Sequence, residues 1–184
     1  MNTMFAVIFL GVLVVTNAAV CEKKNPMESF DSAKYFSAKL DYVQRVSEGP
    51  KSVACIKFDY NRDSDGKLTS NYDYYGGSEK QKYHNSCNGT QRSNKAKFSF
   101  NCKQSSDNST ASPTFQEEVT VMTTDYKTYS VVNRCVKSGG FSSGNILVLS
   151  KDKDSEDPSN LEEILKGLGE TSFQHVRKTT DCKY

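Results

Sequence analysis

Catalytic signatures are missing from this chain. It has no G-x-S-x-G, no H-E-x-x-H and only two histidines, which removes the usual acyl-transfer and zinc-hydrolase readings. No C-x-x-C pair occurs among its six cysteines, so zinc-site and thioredoxin-like chemistry lose their main support. Positive charge is not gathered: a net charge of +2 is spread over 184 residues. The ten tyrosines and ten phenylalanines do not interleave with clustered arginines, which argues against nucleic acid as a partner. Glu117 and Glu118 are neighbours on one expected strand and therefore face opposite sides, so they do not form an acid/base pair. There is no internal repeat and no sign of a second domain. The chain reads as a non-enzyme.

What is present begins with one apolar run, from Met4 to Val15, followed by the small residues Thr16-Asn17-Ala18. This is the pattern of a secretory signal over residues 1–18, although Lys and Arg are missing from its start, and it leaves a single mature domain over 19–184. The run is short for a membrane span, so no membrane association is expected after cleavage. Export makes disulfides the natural state of Cys21, Cys55, Cys87, Cys102, Cys135 and Cys182. Two glycosylation sequons, at Asn88 and Asn108, agree with an extracellular destination.

Apolar residues alternate by two along most of the mature chain. Ala54, Ile56, Phe58 and Tyr60 share one face of a strand, with Val53, Cys55, Lys57 and Asp59 on the other. Asp65-Gly66 is a strong hairpin turn after it. Further strands are expected at Leu68 to Tyr75, Lys80 to Ser86, Lys95 to Cys102, Phe115 to Thr123, Tyr126 to Arg134 and Asn145 to Ser150. With "KLDYVQRV" first, the count is about eight, and regular spacing points to an antiparallel barrel or sandwich. Helix signals appear near the ends. Ser159 to Glu162 fits a capping box, and Leu161, Ile164, Leu165 and Leu168 recur at helical spacing, giving one short amphipathic C-terminal α-helix on the outside of the sheet. The polar segment from Lys103 to Thr114 reads as a long loop between strands.

A family resemblance rests on several stretches taken together: "ESFDSAKYFSAKLDYVQRV", "GPKSVACIKF", "NYDYYGG", "KYHNSC", "TTDYKTYSVVNRC" and "NILVLSKDKD". As a set, with the cysteine layout, they resemble the triabin and pallidipin group of salivary lipocalins from blood-feeding triatomine bugs, with nitrophorins more distant. The resemblance implies an all-β fold, an eight-stranded antiparallel up-and-down lipocalin barrel with a mouth at one end. It departs at the Gly-x-Trp of the first lipocalin strand, since the chain has no tryptophan. Tyr42 is the candidate aromatic plug for the closed end. Lys151 stands where the family carries a stacking Arg, and a flexible ammonium stacks less well than a guanidinium.

Spacing alone leaves the cysteine connectivity open. The resemblance implies Cys21 with Cys135 and Cys55 with Cys182, which leaves Cys87 with Cys102 as the third pair. If Cys135 and Cys55 face outward to hold the termini, then Val132, Arg134, Ile56, Phe58 and Tyr60 face inward. An inward Arg134 either meets the carboxylate or phosphate of a ligand, or else sits at a wet barrel rim or pairs with an acidic neighbour. Phe58, Tyr60, Tyr72, Tyr74 and Val132 join it as candidate ligand contacts, and Tyr72, Tyr74, Phe98 and Phe100 also read as ordinary wall aromatics.

"NRDSDG", from Asn61 to Gly66, imitates the start of a calcium loop, but Tyr72 stands where the final Glu belongs, so it reads as a hairpin and no metal site is expected. The nitrophorin likeness invites His84 as a haem ligand. A lone histidine beside a disulfide reads instead as a wall or surface residue, and no cofactor is expected. The resemblance implies a secreted salivary monomer that captures a small host mediator, such as a thromboxane- or leukotriene-like lipid or a biogenic amine. The alternative is a barrel used as scaffold to block a clotting protease or platelet receptor. Thrombin's basic exosites would demand an acidic patch, and in "KDKDSEDPSN" the lysines dilute the acid.

Overall fold

Alternation by two is realised as nine antiparallel strands: β1 (Tyr42–Val46), β2 (Phe58–Arg62), β3 (Leu68–Gly76), β4 (Gln81–Gln91), β5 (Lys97–Ser106), β6 (Thr114–Thr124), β7 (Tyr129–Ser138), β8 (Phe141–Ser150) and β9 (His175–Val176). The computed structural model describes residues 21–49, 51–76, 81–93, 96–107, 109–178 and 182; the expected leader and Asn108 lie outside them. The strands are ordered β2-β3-β4-β5-β6-β7-β8-β1-β9, so β2 and β3 keep their sequential places. The sheet closes on itself where Tyr42 bridges Lys57. There Val43 N donates to Ile56 O (3.1 Å) and Phe58 N donates to Asp41 O (2.8 Å). The ninth strand is an addition to the expected eight, and its two residues pair with the free edge of β1, capping an edge that would otherwise offer unpaired donors and acceptors.

Several strand boundaries differ from expectation: β4 runs on to Gln91, β5 reaches Ser106 and takes the start of the stretch expected as a loop, β7 extends to Ser138 and β8 begins at Phe141, because cross-strand pairing carries polar residues along with the apolar ones. Val53 and Ala54 are buried in a 3-10 turn, Lys51–Cys55, and extended structure resumes only toward Phe58. Tyr126 belongs to the corner before β7, with φ at 60°. The Asp125 carboxylate holds that corner by accepting from Lys127 N (2.9 Å), Thr128 N (2.8 Å), Tyr129 N (3.2 Å) and Thr128 Oγ1 (2.5 Å). Burial alone would raise its pKa, but these hydrogen bonds outweigh burial and hold it below the ordinary value. Thr124 Oγ1 accepts from Tyr126 N (3.0 Å) and donates to Tyr129 O (2.8 Å).

The closed end is plugged by an element the strand pattern does not reveal. Helix α1 (Ser32–Ala38) starts at Asp31, whose side chain accepts from Lys34 N, and buries Tyr35 and Phe36. Its rings meet Phe30 and Phe98, with centroids 5.2 Å (Phe30–Tyr35), 5.6 Å (Tyr35–Phe36) and 5.3 Å (Phe36–Phe98) apart. Tyr42 is not the plug: it is only half-buried and outside this cluster. Nor is Lys151 its cation, since Lys151 is exposed. Lys57 Nζ (5.2 Å) and the Arg177 guanidinium (5.3 Å) lie over the Tyr42 ring instead. Arg177 Nη1 also donates to Val43 O (2.9 Å) and Ala54 O (3.0 Å), so the C-terminal segment supplies the guanidinium.

Helix α2 (Leu161–Gly167) covers the outer face of the sheet, where Leu161 and Leu165 pack with Met122, Val131, Ile146 and Val148. The expected capping box does not form: the N-cap is Asn160, without a side-chain capping bond. Burial of its leucines rather than local capping holds so short a helix. Arg45 on β1 bonds Asp157 (2.6 Å) and Glu162 (2.5 Å) and ties this end to the barrel.

One buried acid near the closed end makes stability depend on pH. Burial pushes the Asp41 carboxyl up to about 6, against the pull of Lys39 and Lys57 and with help from Asp59. The folded state therefore binds this proton more tightly than the unfolded chain, and the resulting stabilisation is full below the ordinary aspartate value and lost as pH rises through about 6. Asp41→Asn is expected to raise stability at pH 7 by about 1–2 kcal/mol and to have little effect near pH 4. Urea denaturation at both pH values checks this, and a destabilised variant at pH 7 would contradict it.

Candidate ligand site in the barrel

Strand parity decides what the barrel encloses. On β7, Cys135 faces out to Cys21, and Asn133 donates through Nδ2 to Glu22 O (2.8 Å). The alternate residues Val132 and Arg134 face inward, Val132 being buried in the main core. On β2, Phe58 and Tyr60 are buried, and their rings stack at 5.1 Å. Tyr72 on β3 meets Phe58 edge-on at 4.9 Å. Cys55 is bonded to Cys182, and Cys87 on β4 to Cys102 on β5. This last bridge is buried in the core, on the side of the wall that carries Phe98 and Phe100. Phe100 lies against Gly89, where a Cβ would run into the ring and sit 2.7 Å from Ser99 O, so only glycine fits beneath it.

Arg134 meets Glu117 of β6, a residue with no solvent exposure. Arg134 Nη2 donates to Glu117 Oε2 (2.8 Å) and to the Tyr72 hydroxyl (2.6 Å), and Tyr72 donates to the same Oε2 (3.0 Å). The guanidinium lies over the Tyr72 and Phe58 rings, 5.2 Å and 5.7 Å from their centroids. Burial by itself disfavours the arginine's charge, but the adjacent carboxylate outweighs it and the Arg134 pKa is raised. Burial above all, joined at Tyr60 by the Glu117 charge and opposed at Tyr72 by Arg134, pushes both hydroxyls well above the ordinary phenol value, so both are neutral. Toward the mouth, Gln104 Nε2 donates to the Tyr74 hydroxyl (3.0 Å) and to Asn85 Oδ1 (3.2 Å), and Asn85 Nδ2 to Tyr72 O (3.4 Å). Tyr74 stacks on Tyr83 at 5.1 Å.

All six expected contacts, Phe58, Tyr60, Tyr72, Tyr74, Val132 and Arg134, therefore lie on the inner wall. Of the readings of Arg134, pairing with an acidic neighbour is the one the structure holds. Glu117 was missed as a partner although its inward face follows from the same alternation that sends Glu118 outward, where Glu118 bonds Arg92 (2.9 Å) and Lys137 (3.3 Å). Asn85 and Gln104 carried no such signal, because amides also suit an outer wall. His84 lies on the outer wall, with Nδ1 2.7 Å from Asp73 Oδ1. In the calcium-like stretch, Asp63 accepts from Asp65 N (3.0 Å) and Lys67 N (2.8 Å), as a hairpin turn requires. Two concavities, of about 670 and 540 Å³, lie on the outer wall, and exposed Asn88 borders both.

An antiparallel meander closed into a barrel, plugged at one end and polar at its centre, is a lipocalin. Residues 14–164 match the Triabin family, and the chain belongs to it. It is 30% identical to pallidipin of Meccus pallidipennis over 171 residues, 91% of this chain and 90% of that protein. It is also 30% identical to triplatin of Triatoma infestans, over 86% of this chain and 84% of the relative. Platelet inhibitor triplatin-2 of the same species is 28% identical over 84% of each. Among solved structures, the tryptamine complex of the amine binding protein of Rhodnius prolixus superposes with a TM-score of 0.66 at 17% identity, covering 90% of this chain and 91% of that one. LTBP1 bound to leukotriene C4 superposes with a TM-score of 0.60 at 24% identity, covering 85% and 95%. These structural likenesses show the fold. Three disulfides among the described residues fit a secreted protein.

Proposed function

We propose that this is a secreted salivary lipocalin that acts as a monomer to sequester a small host mediator, an eicosanoid or biogenic amine, and so inhibits platelet aggregation. The observation that carries this reading is the polar cluster of Arg134, Glu117 and Tyr72 within an aromatic barrel. A binding site needs a few placed polar groups among apolar walls, and a scaffold alone does not. Arg134 keeps 11% of its side chain exposed while Glu117 keeps none, which orients the cluster's open side through the arginine. Tyr74, Asn85 and Gln104 line the approach. The name of one relative, platelet inhibitor triplatin-2, supplies the platelet context, and the small-molecule complexes of the structural neighbours supply the ligand classes.

The scaffold alternative finds less support. The larger outer concavity is bordered by Lys103 and Lys137, which does not complement a basic exosite. Calorimetric titration with a stable thromboxane mimic, leukotrienes, serotonin, noradrenaline and ADP is expected to show one class binding at one site per chain, at sub-micromolar Kd, about 8 kcal/mol or more. If none binds while thrombin clotting is prolonged at near-stoichiometric dose, the scaffold reading replaces this one.

A further inference from the structure

The contact between Arg134 and Glu117 is end-on. One guanidinium nitrogen, Nη2, and one carboxylate oxygen, Oε2, make every hydrogen bond of the pair. The remaining groups beside that contact, Arg134 Nε and Glu117 Oε1, are buried and have no hydrogen-bond partner among the described residues. A buried donor and a buried acceptor left unused in this way are costly. Both belong to charged groups, which make the stronger hydrogen bonds. A further unused polar atom, Ser70 Oγ, is buried on the same interior face of β3, two residues from Tyr72.

Charge selects what can complete the pair. Arg134 and Glu117 cancel, and the tyrosines facing them are neutral, so the centre of the barrel carries no net charge. An ammonium would serve Glu117 Oε1, leave Nε unused and bring an unbalanced positive charge into a buried site. A carboxylate would serve Nε and repel Glu117. A hydroxyl serves both: its O–H donates to Oε1 and its oxygen accepts from Nε–H.

Resting on the barrel reading above, we infer that Glu117 and Arg134, as an intact ion pair, recognise a neutral hydroxyl on the ligand's skeleton, and that any carboxylate or ammonium of the ligand stays toward the mouth. The hydroxyl can belong to an oxygenated lipid or to a ring-hydroxylated amine, and matched probes separate the two. A hydroxyl-bearing thromboxane mimic is compared with its deoxy analogue, each as free acid and as methyl ester, and serotonin is compared with tryptamine. Within whichever series binds, the hydroxylated member is expected to bind at least about tenfold tighter, as loss of hydrogen bonds to charged groups predicts. The acid and its ester are expected to bind within about threefold of each other.

In Glu117→Gln the hydroxyl preference should fall. The free acid should then gain over its ester, because Arg134 is no longer neutralised. If that variant does not fold, the wild-type pairs decide alone. A probe that binds without regard to its hydroxyl overturns this inference and leaves the cavity reading standing, the unused atoms then being served by water only. Failure of both series to bind, together with the leukotrienes, noradrenaline and ADP, overturns the cavity reading and this one with it.

Discussion

Glu117→Ala is expected to destabilise the protein by about 3–5 kcal/mol, because it strands the Arg134 charge in the barrel without its partner. Arg134→Ala strands the fully buried Glu117 carboxylate and should cost a similar amount. The double variant Glu117→Leu with Arg134→Met removes both charges and returns apolar volume, and it should lie within about 1.5 kcal/mol of the parent. Urea denaturation at fixed pH measures all three, and the pattern matters more than any one value. Two costly single variants with a near-neutral double show that the pair is kept for a reason other than stability, as a site for ligand would require. Single variants that each cost under about 1 kcal/mol would mean that water reaches the pair and that the site is a wet rim.

The second large effect concerns the disulfides. Cys21–Cys135 and Cys55–Cys182 close loops of 114 and 127 residues, whereas Cys87–Cys102 closes one of 15. On chain entropy, removing either long bridge by paired Cys→Ala substitution should cost about 5 kcal/mol, and removing the short one about 3 kcal/mol. The long bridges act on different places. Cys21–Cys135 anchors the segment leading to α1, and Cys55–Cys182 anchors the tail that carries β9 and Arg177. Loss of the latter pair should also loosen Arg177 from Tyr42, seen as faster amide exchange in β1. Equal losses from all three bridges, or a larger loss from the short one, would contradict the loop-closure account.

The antiparallel sheet was legible from alternation because burial of one face leaves a period of two in any half-buried strand, and the family resemblance chose a barrel over a sandwich. The inward set Phe58, Tyr60, Val132 and Arg134 followed from parity once two cysteines were assigned to the outside. The pairing of those cysteines came from family resemblance, not from spacing. Helix α1 escaped notice because a seven-residue element shows barely two turns of periodicity, and its aromatics serve equally well in a strand. The Ser159 box failed because a local capping pattern competes with the way the leucines of α2 must seat on the sheet.

By itself the sequence determined the period of the strands, the hairpin at Asp65-Gly66 and which residues of β7 share a face. These are local properties, set by backbone geometry and by neighbours one or two residues away. Only the tertiary structure decided that Arg134 meets Glu117 and Tyr72, that Arg177 rather than Lys151 supplies the guanidinium over Tyr42, and that α1 plugs the closed end. Those contacts join residues 17 and 62 positions apart at the site, and 62 and 135 positions apart between the terminal segments and the barrel. Which distant groups meet depends on strand register and barrel closure, which arise from all the strands together and leave no periodic mark on any one of them.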